Sequence, residues 1–230
     1  MKILAFETSC EHATVALLLG DEIIQRRLEG HANHSERLLP TVQALLAESQ
    51  VSLSSLDAIA FGAGPGAFTG LRLSCGVAQG LAMGAGLGVA PICSLEALSL
   101  QGEGPRILVA TDARMGEVYW AAFEMRDGLR MTVADPECIP PEHISAPGPG
   151  MWFGIGSAFE VYAASLHASL TTSLSGYNAS LAPAARDVAR LACVRVVSGD
   201  LLSPELAVPV YVRNKVAFTT AERMARGGRA

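Results

Sequence analysis

The sequence predicts an α/β fold built from two related halves. Three observations carry this. First, "KILAFETS" (2–9) and "RILVATDA" (106–113) start 104 residues apart and share one order: an apolar strand, an acidic hydroxyl-bearing turn, then at once a second strand, "HATVALLL" or "GEVYWAAF". Second, strand-like and helix-like segments mix along the chain, which marks the α/β class. Third, half of the 230 residues are hydrophobic and only 17% are charged, so the chain can bury a large core.

The elements follow in order. "DEIIQRRLE" (21–29) reads as a third strand. Asn33, with Glu36 three residues on, forms a capping box. It opens the helix "HSERLLPTVQALLAES" (34–49), whose Leu38, Val42, Leu45 and Leu46 share one side. Pro40 inside it predicts a kink or a late start. "DAIAFG" (57–62) is a strand, followed by a glycine loop, a long helix and a strand near "GVAPI" (88–92). The second half offers two or three strands with a turn at Arg126-Asp127-Gly128. A proline-rich link from Pro136 to Pro149 leads to the strand "MWFGIG" (151–156) and to helices near 157–169 and 184–197. The closing "ERMARGGRA" reads as a disordered, mildly basic tail.

Composition excludes several functions. A net charge of −5, with no run of Lys or Arg, argues against a large nucleic-acid footprint of the chain's own. Cys10, Cys75, Cys93, Cys138 and Cys193 are scattered without a CxxC pair, which argues against zinc or a redox dithiol and suits a reducing, cytoplasmic setting. "MKILAFETSC" is too short an apolar run for a signal peptide. Leu73–Leu95 has no charge and is long enough to span a membrane. Its five glycines, Gln79 and Pro91 instead predict a helix followed by a buried strand.

The loop "GAGPGA" (62–67) matches G-x-G-x-x-G/A between a strand and a helix. The ribose-binding acid needed about 20 residues on is missing, since no Asp or Glu lies between Asp57 and Glu96. A dinucleotide site is therefore rejected, and a Walker loop fails for want of Gly-Lys-Ser/Thr. A weak anion contact at Gly66–Thr69 is left to the helix N-terminus. Ser35, Ser74 and Ser94 lack a G-x-S-x-G context. His31 and His34 read as cap or surface groups, not as a metal pair. No catalytic residue and no metal ligand is expected.

The long helix poses its own question. Gly76, Gly80 and Gly84 each cost about 1 kcal/mol relative to alanine. They drift only about 40° per step and so line one narrow face. Close packing must offset the cost, either against the chain's own sheet or against a second protein. Periodicity alone favours the first. In the second case Leu71, Cys75, Ala78 and Ala82 face the core.

"FETSCEHATVAL", "HSERLLP", "GPGAFTGLR", "SLEALS", "DARMGEVY" and "PVYVR" occur in that order between about residues 1 and 215. Together they resemble the TsaB (YeaZ) family, accessory subunits of the bacterial machinery that makes threonylcarbamoyladenosine in tRNA. The resemblance implies an actin-like (ASKHA) fold of two subdomains, 1–104 and 105–230. In such folds the turns Glu7-Thr8-Ser9 and Asp112-Ala113-Arg114 face nucleotide phosphates, and "GIGSAF" (154–159) resembles the adenosine-side loop. Thr8, Ser9, Asp112, Gly154 and Gly156 are thus the weak candidates for ATP or ADP. Both turns depart from Asp-x-Gly, so no ATP hydrolysis and no obligatory cofactor are expected.

The catalytic paralogue TsaD carries a metal-binding His-x-x-x-His pair. The stretch here that resembles it is "SLEAL" (94–98), with serine and leucine in place of the two imidazoles. The implied role is a non-catalytic scaffold that pairs with TsaD, or with itself, through its two N-terminal helices. TsaE joins the assembly, tRNA is met only indirectly, and no membrane is involved. His34, Leu38, Arg72, Gly76, Val77, Gly80 and Met83 are the expected partner-facing residues. The alternatives are an ATPase or phosphotransferase acting in the cleft, and a glycoprotease-like peptidase.

Overall fold

Two five-stranded mixed sheets repeat one topology, the actin-like two-lobed arrangement. The computed structural model describes residues 1–28 and 34–213. In the first lobe β1 (Lys2–Glu7) pairs antiparallel with β2 (Thr14–Leu19) and parallel with β4 (Ala58–Gly64). β3 (Glu22–Arg27) extends β2 antiparallel, and β5 (Val89–Cys93) extends β4 parallel. The order is β3-β2-β1-β4-β5. The second sheet holds β6 (Arg106–Asp112), β7 (Val118–Arg126), β8 (Leu129–Ile139), β9 (Trp152–Ile155) and β10 (Leu174–Asn178). Read from its β8 end, the order β8-β7-β6-β9-β10 matches the first sheet strand for strand, with the same parallel and antiparallel pairs. The repeated openings of the sequence are the central strands of this duplication.

The helices are α1 (His34–Glu48), α2 (Phe68–Ala85), α3 (Ser94–Ser99), α4 (Ala158–Val161), α5 (Ala163–Leu170) and α6 (Ala185–Ser198). Strand alternation splits the first lobe into two cores. Leu4, Phe6, Ile59 and Phe61 face Leu38, Val42 and Leu45 of α1 and Cys75, Ala78 and Ala82 of α2. Ile3, Ala5, Ala60 and Ala90 face Ala185, Val188, Ala189 and Ala192 of α6. The central strands are covered on both faces, so β4 is buried along its whole length and shows no polar alternation. In the second lobe Trp152, Leu108 and Trp120 pack with Phe159, Leu166 and Leu170. Leu95 and Leu98 of α3 join Ile107, Val109 and Phe123 on the other face. Each half of the chain thus lends a helix to the other half's sheet.

Several expectations are adjusted. β8 runs through Pro136, within the segment read as a link. It is an edge strand and its register shifts there, so the missing N–H removes no inner ladder bond. The helix expected near 157–169 is two short helices that break at Tyr162, whose hydroxyl reaches Asp112 at 3.0 Å. α1 continues through Pro40, which is exposed. α3 is too short to show periodicity, and β10, "LSGYN", lacks an apolar pattern; neither was foreseen. The uncharged stretch 73–95 is the body of α2, a left-handed Gly86 cap and β5. Among the described residues no helix is long and apolar enough to cross a membrane. All five cysteines are free. The Asn33 cap, His31 and the closing tail lie outside the described residues.

Candidate functional site

α2 buries Leu71, Ser74, Cys75, Ala78 and Ala82 against the first sheet. The opposite side carries the glycines. Gly76, Gly80 and Gly84 are exposed, and among the described residues a β-carbon built on any of them meets no atom within 4 Å. The stripe therefore does not serve packing among the described residues. Met83 stands beside it, 66% exposed. α1 contacts α2, and the half-buried Leu73 and Val77 of α2 pack into the core that α1 helps to build.

Of the residues expected to face a partner, Gly76, Gly80, Met83 and Arg72 lie open, while His34 and Val77 are half-buried. Leu38 is a correction. It is wholly buried under α1, because it shares the helix side of Val42 and Leu45, and it holds the core instead of presenting a surface. Arg72 neither caps a carbonyl nor meets a carboxylate among the described residues. Its guanidinium lies 3.9 Å from the centroid of the Phe68 ring, and its Nε donates to the Tyr211 hydroxyl at 3.2 Å.

The start of α2 is set by the first turn of the chain. The Thr8 carbonyl oxygen would stand 1.8 Å from a β-carbon at residue 70, so only glycine lets the helix sit there. The Thr8 hydroxyl donates to the Gly70 carbonyl at 2.6 Å. Glu7 is fully buried beside Gly62, where any β-carbon would overlap its carboxylate. Its oxygens accept from the Ser9 backbone N–H at 2.7 Å and the Ser94 hydroxyl at 2.8 Å. Burial raises the Glu7 pKa above the usual carboxylate range, and these hydrogen bonds oppose the rise. Gly62, Gly66 and Gly70 of "GAGPGAFTG" thus accommodate the Glu7–Ser9 turn, while Gly64 abuts the Val210 carbonyl and Leu71.

Between the lobes lies a cleft of about 710 Å³. Ser9 and Asp112 line it, together with Glu11, Arg114, Tyr119, Ser157 and Arg213. The other three nucleotide candidates do not. Thr8 is buried and spent on Gly70. Gly154 lies under the Phe159 ring, which would stand 2.4 Å from a β-carbon there. Gly156 takes φ +107° and abuts the Ala110 carbonyl. Asp112 accepts from the Tyr162 hydroxyl and pairs with Arg114 at 3.2 Å, so its charge is already matched. At the stretch resembling the catalytic paralogue, the Ser94 hydroxyl is committed to Glu7 and Leu98 is wholly buried. Among the described residues no three His, Cys, Asp or Glu side chains stand together as a metal site.

Sequence reasoning missed the segment from Ala207 to Arg213, which runs alongside α2. The Ala207 carbonyl accepts from Cys75 Sγ at 3.3 Å and Gln79 Nε2 at 2.9 Å, and the Val210 N–H donates to the Ala63 carbonyl at 2.7 Å. The signal that points to it in the sequence is the motif "PVYVR" (209–213).

A family model described as "TsaD: tRNA N6-adenosine threonylcarbamoyltransferase" matches residues 28–212. The tRNA threonylcarbamoyladenosine biosynthesis protein TsaB of Escherichia coli (strain K12) is 36% identical over 95% of this chain and 97% of its own length. The protein of the same name from Haemophilus influenzae is 32% identical over 95% of this chain and 96% of its own. A Pseudomonas aeruginosa structure described as similar to peptidase YeaZ aligns with a TM-score of 0.84 at 36% identity, covering 92% of this chain and 99% of that one. The chain belongs to the family this model describes and, within it, to the TsaB (YeaZ) line of tRNA threonylcarbamoyladenosine biosynthesis proteins.

Proposed function

We propose that this chain is a non-catalytic scaffold subunit that docks on a TsaD-type threonylcarbamoyltransferase through the outer side of α1 and α2. One observation carries the reading. An eighteen-residue helix keeps Gly76, Gly80 and Gly84 on a face that the described residues of its own chain leave open. Three alanines would favour the helix and meet nothing, so the described fold supplies no reason for the glycines. A partner backbone brought close to that face supplies one. The names of the E. coli and H. influenzae relatives support tRNA threonylcarbamoyladenosine synthesis as the setting.

In this reading the chain provides surface and no acid, base or metal ligand, and tRNA is met only through the partner. A TsaE-type ATPase joins the assembly, and the same face pairs two copies when the catalytic subunit is absent. The site of action is the cytoplasm. An ATPase reading draws on the interlobe cleft, but its Thr8 and Asp112 side chains already have internal partners. The test is co-purification with a TsaD-type partner, followed by a tRNA modification assay with and without this chain. Co-elution and chain-dependent modification are expected. Full modification by the partner alone would remove the scaffold reading.

A further inference from the structure

Two stretches, "DARMGEVY" (112–119) and "PVYVR" (209–213), take no catalytic part and only graze the partner face, yet they meet in space. In the β6–β7 turn Arg114, Met115 and Gly116 take φ of +61°, +60° and +79°. Left-handed backbone is uncommon for residues other than glycine, and here two arginine- and methionine-sized side chains adopt it in succession. Arg213 Nη2 donates to the Arg114 carbonyl at 3.1 Å and to the Glu117 carboxylate at 2.7 Å. Its guanidinium lies 5.7 Å from the Tyr119 ring centroid, and its side chain is only 13% exposed. The Arg213 side of the pair is largely withdrawn from solvent, while Glu117 is about a third exposed, so salt screens the pair less than it does a fully exposed one.

The other end of this segment is tied to the first lobe through Ala207, Val210 and Tyr211. Residues 207–213 are thus a strap from lobe to lobe. The chain also crosses between lobes at 100–105 and at 179–184. Gln101 Nε2 clips these two crossings together, donating to the Ala182 carbonyl at 2.8 Å and to Asp187 at 2.9 Å. The cleft is lined by Leu181–Pro183 from the second of these crossings and by Val210–Arg213 from the strap. A second link across it, Arg114 to Glu11 at 2.8 Å, is largely exposed on both sides.

We propose that Arg213 is a lock. By holding the β6–β7 turn to a strap anchored on α2, it keeps the two lobes at a fixed opening, and its release lets them rotate about the Gln101 clip. Hinge motion about a few inter-lobe residues is a common way for a two-lobed fold to change state.

The experiment uses the full chain carrying Arg213→Ala, Glu117→Gln, or both, with Glu11→Gln as a comparison. Amide hydrogen exchange is followed in 112–119 and 207–213. Dipolar distances are measured between spin labels attached to unnatural residues at the exposed positions 21 and 127. Each lock variant is expected to lose protection at least tenfold in both stretches and to broaden the distance distribution. The double variant should lose no more than the larger single one, as for a coupled pair. Glu11→Gln should do little, because its ion pair is solvent-screened. Unchanged protection and unchanged distances in Glu117→Gln, or additive effects in the double variant, would overturn the proposal. So would global unfolding of Glu117→Gln, since neither lobe's core includes this pair. No partner is needed, so the outcome is independent of the scaffold reading.

Discussion

The Ser94 hydroxyl donates a 2.8 Å hydrogen bond to Glu7, a carboxyl group with no solvent exposure at the end of β1. The bond joins the first turn of the chain to the start of α3, so the Ser94 hydroxyl is a buried structural contact.

The buried carboxyl makes stability depend on pH. Burial raises the Glu7 pKa in the folded state. An acid raised in this way contributes stability that is fully present below its unfolded value, about 4.3, and is lost as pH rises through the folded value. Glu7→Gln should remove that loss, with its amide oxygen still accepting from Ser9 and its amide N–H donating to Ser94. Melting temperature is expected to be similar for the two proteins near pH 4 and higher for the variant at pH 8. A wild type that gains on the variant as pH rises would contradict this. Ser94→Ala, which removes a partner of the buried oxygen, should destabilise by about 1–3 kcal/mol.

One substitution should have opposite signs at two glycines of α2. Gly70→Ala places a β-carbon 1.8 Å from the Thr8 carbonyl oxygen, so the turn must move. Overpacking of this kind costs about 1–3 kcal/mol, more than the helix gains. Gly80→Ala meets open space and should stabilise the isolated chain by up to about 1 kcal/mol. Urea midpoints of the two variants against wild type read both effects directly. Equal signs would mean that one of the two environments is misdescribed.

Gly80→Leu tests the outer face. The side chain enters open space and favours the helix over glycine, so circular dichroism should match wild type and melting should be no lower. Affinity for a TsaD-type partner should fall at least tenfold, or about 1.4 kcal/mol. Unchanged affinity in a folded variant would move the interface elsewhere.

Leu38 and Leu39 separate core from surface on α1. Leu38 is wholly buried and Leu39 is 43% exposed. Leu38→Ala should cost about 2–5 kcal/mol through the cavity it leaves. Leu39→Ala should fall within about 0.5 kcal/mol of wild type. Calorimetry of the two variants decides between them.

Much of the fold was legible because its signals are local. The two strand–turn–strand openings and the apolar side of α1 follow from period and spacing, and each was found where expected. Periodicity alone favours packing the glycine side of α2 against the chain's own sheet; the described residues instead leave that side open and bury Leu71, Cys75, Ala78 and Ala82. α3 and β10 were not legible. One is a six-residue helix and the other a five-residue strand without alternation, and both are held by neighbours distant in sequence.

By itself the sequence determined the α/β class, the duplication and the presence of a glycine stripe on one face of a helix. Such features depend on residues a few positions apart, where periodicity reports geometry. Only the tertiary structure decided that the stripe is open, that Gly62 and Gly70 are packed under Glu7 and Thr8, that Leu38 is core, and that Arg213 reaches Glu117. These contacts join residues tens to nearly a hundred positions apart, and no local pattern encodes which distant atoms will fill the space beside a given Cα.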